Sequence, residues 1–535
     1  MNIVLRFDTL KLTTTSQGEY IMIKKPKRRK PLSTGGHWDF ELIEKYYNEI
    51  ERIAVEKFRM DVYPNQIEVI SAEQMLDAYS SHGLPISYNH WSFGKSFVQN
   101  AYNYKKGNMG LAYEIVLNTK PCLAYLMEEN TMCLQALVMA HACFGHNTVF
   151  KNNYMFKMWT DAESIVDYLA FAKKYISDCE DKYGTQAVED MLDSCHSLQF
   201  YGVDKYKRPS KLSMVDERNK QAEREAYLQT QVNDLWRTIP TQAKETKATT
   251  RRFPAEPQEN LLYFFEKNSP NLQSWQREII RIVRKISQYF YPQMSTKVLN
   301  EGQATFSHYQ IINEMYNEGL VDDGFMLEFF EHHTNVVRQM PFDSKYYSGI
   351  NPYTLGFNIF MDIKRMCENP TEEDKEWFPD IVGKDWIEMT KFAMENFKDD
   401  SFIQQFLSPK VIRDMKLFSL EDDDRESSYE ITAIHNKAGY KKVRETLANQ
   451  YNIVELIPNI QVYSVDVSGS RTLSLRHYMH NERPLNHKEA METLKHVMRL
   501  WGFNIMIESV DANNRVRSVF TLNKEGNLLD VFDDD

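Results

Sequence analysis

The sequence predicts a mainly α protein with α+β parts: a large helical N-terminal domain followed by a small α+β C-terminal domain of split-βαβ type. Three observations predict it. Gly (20) and Pro (18) are scarce for 535 residues, which favours long helices over a turn-rich β architecture. Apolar residues recur at helical spacing through most of the chain before residue 421. From Tyr429 onward, short alternating segments are interleaved with helical ones.

Residues 1–37 read as a flexible arm carrying the basic run Lys24-Lys25-Pro26-Lys27-Arg28-Arg29-Lys30, and Met22 just before that run is an alternative start. The helical domain spans 38–420. WDFELIEKYYNEIERIAVEKF places Phe40, Ile43, Tyr47, Ile50 and Ala54 on one helical face. LAYEIVLNTKPCLAYL, residues 111–126, reads as a strand, a turn at Pro121 and further extended chain. EENTMCLQALVMAHACF follows as an apolar helix, with Glu128 and Glu129 in its first turn. Helices are expected over Asp161–Tyr183 and from Gln186 to about Leu198. Residues 204–260 are polar and charged, an exposed segment. Three helices and a loop-then-helix carry the chain to the acidic linker Glu421-Asp422-Asp423-Asp424. The 421–535 domain then reads β-α-β-β-α-β-β.

Composition bounds the function. Apolar residues at 42% and charged residues at 26% exclude a mainly disordered or fibrous chain, and the length allows roughly two to four domains. A net charge of -11 argues against general nucleic-acid binding. No apolar run approaches the roughly 18 residues of a membrane span, so no membrane insertion is expected. Cys122, Cys133, Cys143, Cys179, Cys195 and Cys367 include no CxxC pair, and the first residues lack the order of a secretory signal. A cytoplasmic location with reduced thiols is expected.

Candidate chemistry gathers in a few helical stretches. His141 and His146 flank a turn at the end of an apolar helix behind a strand, which suggests a zincin-like layout: an edge strand positions substrate, and the next helix supplies two metal ligands. Residues five apart lie about 140° apart on a straight α-helix, so either a break at Gly145 or a π-bulge must bring the two rings together. Ala142 stands where the general base of an HExxH peptidase would be, so Glu128, Glu129 or Glu331 would have to replace it. Glu301 and His308, seven apart, project from one helix face, and Gly302 between them marks close approach of another element. Glu301 resembles the carboxylate ligand of glutamate-type zincins; His308 is a fourth ligand or a partner behind the ligands. Glu328 and His332 are four apart, which suits a ligand pair or a simple helix-capping interaction; His332 and His333 orient ligands or bind metal. Tyr88, His90 and Trp91 read as core packing or a pocket wall, and Tyr347, Asn351 and Tyr353 on a Gly/Pro loop as cleft lining. Zinc is the expected ion, with iron as the alternative.

These residues sit in longer motifs: PNQIEVI, HWSFGK, LAYEIVLN, MEENTM, MAHACFGHN, FKNNYMF, WTDA, YGVDKYKRP, REAYLQTQVNDLWRTIP, NEGQATF, DDGFMLEFFEHHTNVV and YSGINPYTLGF. Together they resemble the SpoVR family, the stage V sporulation protein R-like proteins, from about Trp38 to the C-terminus. The resemblance implies a link to spore-cortex peptidoglycan or to stress and stationary-phase physiology. It also implies a serine protein kinase and a von Willebrand-type-domain protein as pathway partners. Gln303 stands where the family usually has Trp, and Arg338 where an aromatic is common; both changes bear on the substrate pocket more than on the metal ligands. The expected function is a zinc-dependent hydrolase acting on a peptide or peptidoglycan-like amide, with a non-enzymatic regulator or scaffold as the alternative.

Overall fold

Side-chain caps set many helix starts in the computed structural model, which describes residues 29–81, 84, 86–106, 114–206, 253–254, 256–421, 430–433 and 435–533, with the paired stretches 13–14 and 20–21. Asp39 accepts from the Leu42 N–H and opens α1 (Phe40–Arg52). Strand β1 (Asn65–Ile70), α2 (Ala72–Ser80), α3 (Trp91–Lys105), β2 (Glu114–Leu117) and β3 (Cys122–Met127) follow. Thr131 accepts from the Leu134 N–H and starts α4 (Met132–Val138), which runs on as a π-helix (Met139–His146) and then α5 (Asn147–Asn152). Glu128 and Glu129 therefore lie in the turn before this helix rather than in its first turn, because the Thr131 hydroxyl takes the capping position. Next come α6 (Ile165–Tyr183), α7 (Thr185–Ser197), α8 (Leu261–Asn268), α9 (Ser274–Ser295), α10 (Lys297–Glu318), α11 (Asp323–Val336), α12 (Pro352–Glu368) and α13 (Asp399–Phe406). The chain ends with β4 (Ser419–Glu421), β5 (Glu430–Ala433), α14 (Lys437–Gln450), β6 (Asn459–Val465), β7 (Leu473–Tyr478), α15 (His487–Trp501), β8 (Ile505–Val510), β9 (Val516–Leu522) and β10 (Leu528–Asp533). The architecture is mainly helical with small sheets.

The chain divides into two compact units, each discontinuous in sequence: 1–87, 92–169 and 295–451 form one, and 88–91, 170–294 and 452–535 the other. In the first unit β3 is central, parallel to β1 and antiparallel to β2, so β2 is an edge strand with Glu114 opposite Leu126. One core joins Ile43, Tyr46 and Ile50 of α1 to the apolar run Met132–Phe144 and to Ile311 and Met315 of α10. A second joins Phe402 and Phe406 to Tyr440, Val443 and Leu447 of α14. This packing draws α14 into the first unit, so the division falls at 451 rather than 421. The YEITAI segment likewise pairs with Ser419–Glu421 in a separate two-stranded sheet.

In the second unit the sheet order is β10-β9-β8-β7-β6. Strands β7 and β8, joined through α15, are direct parallel neighbours, and the remaining pairs are antiparallel. No strand is inserted between β7 and β8, which makes this a simple βαβ crossover and corrects the split-βαβ expectation. Alternation holds where it is expected: Leu473, Leu475 and His477 of β7 are buried and their neighbours are not. No helix among the described residues is long and apolar enough to cross a membrane. Most of the basic arm with Met22, most of 204–260 and the acidic residues 422–424 lie outside the described residues.

One remote cap holds α10. Val298 N–H donates to Asp399 Oδ2 at 3.0 Å and Leu299 N–H to Oδ1 at 2.9 Å, so a carboxylate from the start of α13 satisfies the N-terminal donors of α10. Burial pushes the Asp399 carboxyl up to about 7 against the pull of these N–H groups. Because the folded value lies above the ordinary one, the folded state binds the extra proton, and this group's contribution to stability falls as pH rises from about 4 to about 7. Asp399→Asn places an amide N–H against a backbone N–H and should cost about 1–3 kcal/mol. Urea unfolding should show the wild-type advantage over this variant shrinking between pH 5 and pH 7.5; an advantage that grows over that range would refute the assignment.

Candidate metal centre

The π-helix resolves the spacing of the two histidines. Asn147 N–H reaches back to Ala142 O, an i→i+5 bond, and the widened turn stacks residues five apart on one face. The His141 and His146 rings come within 4.7 Å, centroid to centroid, nearly perpendicular. The site's helices approach closely through glycine: a Cβ on Gly145 would lie 2.5 Å from Ala304 Cα, and one on Gly302 would lie 2.4 Å from Gly356 Cα. Gly302 thus marks the close approach that its place in the motif predicts, with α12 as the approaching element.

Two carboxylates face the imidazoles. Glu301 Oε2 lies 3.5 Å from His146 Nε2 and 3.8 Å from His141 Nε2. Glu114 Oε1, from edge strand β2, lies 3.4 Å from His141 Nε2. Single donor atoms of Glu114, His141 and His146 all fall within 4.8 Å of one another, a spacing that can hold a metal ion.

The opposite ring nitrogens are engaged behind the cluster. His146 Nδ1 meets Asn300 Oδ1 at 2.9 Å, so it carries the proton and leaves Nε2 facing Glu301. His141 Nδ1 meets His308 Nδ1 at 2.9 Å, and His308 Nε2 meets His333 Nδ1 at 2.9 Å. With His141 donating to His308 and His308 donating to His333, His141 Nε2 is left as a lone pair toward the carboxylates. His308 therefore sits behind His141 as the partner that sets its tautomer.

The electrostatics suit a cation. Burial holds His141 down at about 4, His308 well below the ordinary histidine value and His333 at about 4, which keeps these imidazoles neutral, the form that binds metal. Burial and the neighbouring Glu301 push the Glu114 carboxyl well up. Glu301 is held below its ordinary value: burial opposes ionisation, but His141, His146 and a hydrogen bond from Tyr353 outweigh it. Glu114 Oε2 is buried without a hydrogen-bond partner, which leaves it available to take a proton beside the two imidazoles. Burial also drives the Cys143 thiol well up, so it offers no thiolate. The donor set is nitrogen and oxygen, which fits zinc or iron.

The SpoVR like protein family matches residues 37–456, and the SpoVR-like C-terminal domain matches 458–512. The chain belongs to the SpoVR family. A relative from Escherichia coli (strain K12), the uncharacterized protein YcgB, is 60% identical over 486 residues, covering 91% of this chain and 95% of the relative. No solved structure matches.

In this SpoVR-family chain the structure gathers His141, His146, Glu301, His308, His333 and Tyr353 of the residues singled out in the sequence. Asn351 lies just behind them: it caps α12 by accepting from Tyr353 N–H at 3.0 Å, and so sets the tyrosine that bonds Glu301. Other residues fall elsewhere. Glu128 and Glu129 are exposed in the turn after β3, and Glu331 is exposed on α11. His332 pairs with Glu328 at 3.7 Å on the outer side of α11. Tyr347 packs its ring 5.3 Å from Phe342 in the preceding loop. Tyr88, His90 and Trp91 belong to the second unit, where Tyr88 Oη meets His196 Nε2 at 2.7 Å and Trp91 Nε1 donates to Asp193 at 2.9 Å. Glu114 and Asn300 are the members that the sequence does not single out. A lone acid inside the otherwise apolar strand EIVL was the available signal for Glu114; Asn300, adjacent to Glu301, carried none.

Proposed function

We propose that this protein is a metal-dependent hydrolase of amide bonds, with zinc as its ion and iron as the alternative, built on a zincin-type arrangement of edge strand β2 beside the histidine-bearing helix. The observation that carries the reading is the convergence of two imidazole Nε2 atoms and two carboxylates in a buried pocket where Glu114 Oε2 has no partner. His141, His146 and Glu301 would hold the ion, since Glu301 Oε2 faces both rings. A zinc ion supplies Lewis-acid polarisation of a carbonyl and acidifies water. Tyr353 fixes Glu301 by hydrogen bonding. Glu114 would take a proton from the attacking water at its carboxylate and return it to the departing amine, filling the role that Ala142 leaves vacant. A peptide or peptidoglycan-like amide is the substrate class. On the family resemblance alone, we place the activity in the cytoplasm and in cell-envelope or stationary-phase physiology, alongside a serine protein kinase and a von Willebrand-type-domain protein.

Glu114→Gln separates chemistry from binding. The variant should keep one ion per chain yet release new amino groups from a peptide and muropeptide panel at least about 100-fold more slowly than wild type, the usual scale of a lost acid–base group. Wild-type rates in Glu114→Gln, or no release by the zinc- or iron-loaded wild type, would contradict the proposal.

A further inference from the structure

The second unit carries a solvent-open cavity of about 170 Å³ between one face of its five-stranded sheet and α15. Its floor is aliphatic, with Ile460, Leu475 and Ile507 from β6, β7 and β8, and its helical wall carries Leu494 and Val497. Aliphatic surface left facing water in a concave pocket favours an apolar group that enters and displaces that water. Small Ala490 and Thr493 of α15 line it and leave its width free. An apolar cavity of about 150 Å³ is enough to hold a benzene ring.

The mouth is not apolar. Glu489, in the first turn of α15, is the one charged residue lining the cavity; it is exposed, and no ion pair engages it among the described residues. The helix start would otherwise favour an anion, but Asn486 already caps the Glu489 N–H and the Glu489 carboxylate offsets the dipole. Tyr201 is committed elsewhere, its hydroxyl donating to Pro458 O at 3.0 Å.

We propose that this cavity binds a small amphipathic amine, its ring or short alkyl chain filling the space between sheet and α15 and its ammonium group meeting Glu489 at the mouth. The site lies in a different unit from the candidate metal centre and does not depend on it.

Isothermal titration of the full chain with n-octylamine, n-octanol and n-octanoate at neutral pH tests this. Octylamine should bind saturably at one per chain, roughly threefold more tightly than octanol, the scale of a solvent-exposed ion pair, and octanoate should bind more weakly than either. Glu489→Gln should bring amine and alcohol to equal affinity. Ala490→Phe, which fills the cavity, should weaken both by about tenfold or more, and the milder Thr493→Ile should weaken both in the same direction. Circular dichroism identifies which variants are folded, and either of the two filling variants suffices. Absence of saturable uptake by wild type, unchanged uptake in a folded filling variant, or octanoate binding above octylamine would each overturn the proposal.

Discussion

Gly302→Ala is expected to lower stability by about 3 kcal/mol and to abolish ion binding, although alanine is the better helix former by about 1 kcal/mol. A Cβ at this position would lie 2.4 Å from Gly356 Cα and 2.5 Å from its carbonyl carbon. A Cβ on Gly356 would in turn meet Val298 O at 2.2 Å. Both obstacles are backbone, so no side chain can rotate away and α10 must separate from α12. That movement carries Glu301 and Asn300 on α10 away from Tyr353 on α12. Gly94→Ala on α3, where nothing lies within 4 Å of the added carbon, makes the same chemical change without the obstacle and should be neutral or stabilising by about 0.5–1 kcal/mol. Urea unfolding of the two variants side by side reads the contrast. Equal stability in both would show that the helices do not meet at Gly302.

Glu301→Ala is expected to leave the chain folded while weakening zinc binding by more than about 100-fold, since loss even of a group hydrogen-bonded to a ligand costs 10–100-fold. Its Oε2 faces both imidazoles, and no other described carboxylate does so at these distances. Removing it also takes away the charge that, after burial, raises the Glu114 carboxyl. Competition against a chromophoric zinc chelator distinguishes this variant, which should release the ion, from Glu114→Gln, which should retain it. Retention by Glu301→Ala and release by Glu114→Gln would exchange the two carboxylates' roles.

The helical character and the shared face of Glu301 and His308 were legible because they follow from local spacing, whereas the meeting of Glu301 with the two histidines is a contact between residues far apart in sequence. Period 3.6 places Glu301 and His308 on one face of α10 whatever surrounds them. The five-residue step between His141 and His146 already signalled a departure from α geometry, but not its form. Choosing a π-helix over a break depends on Gly145 meeting Ala304 from α10, a contact between residues far apart in sequence. Glu114 was hidden for a related reason: strand alternation shows which face a residue occupies, not which helix lies opposite. Glu128, Glu129 and Glu331 looked equivalent to it as acids, yet all three face solvent. The C-terminal division shows the same limit. The α14 pattern is that of any amphipathic helix, and only its packing on Phe402 and Phe406 assigns it to the first unit. The local alternation of β7 identified a strand, whereas its adjacency to β8 is a property of the whole sheet.

The central claim is that His141 and His146, stacked by the π-helix, hold a metal ion with Glu301. Metal content by elemental mass spectrometry, on the wild type and on the His141→Ala/His146→Ala double variant, tests it most directly. One zinc or iron per chain in the wild type and none in a folded double variant is the predicted result. No metal in the wild type, or the same metal content in both, would contradict it.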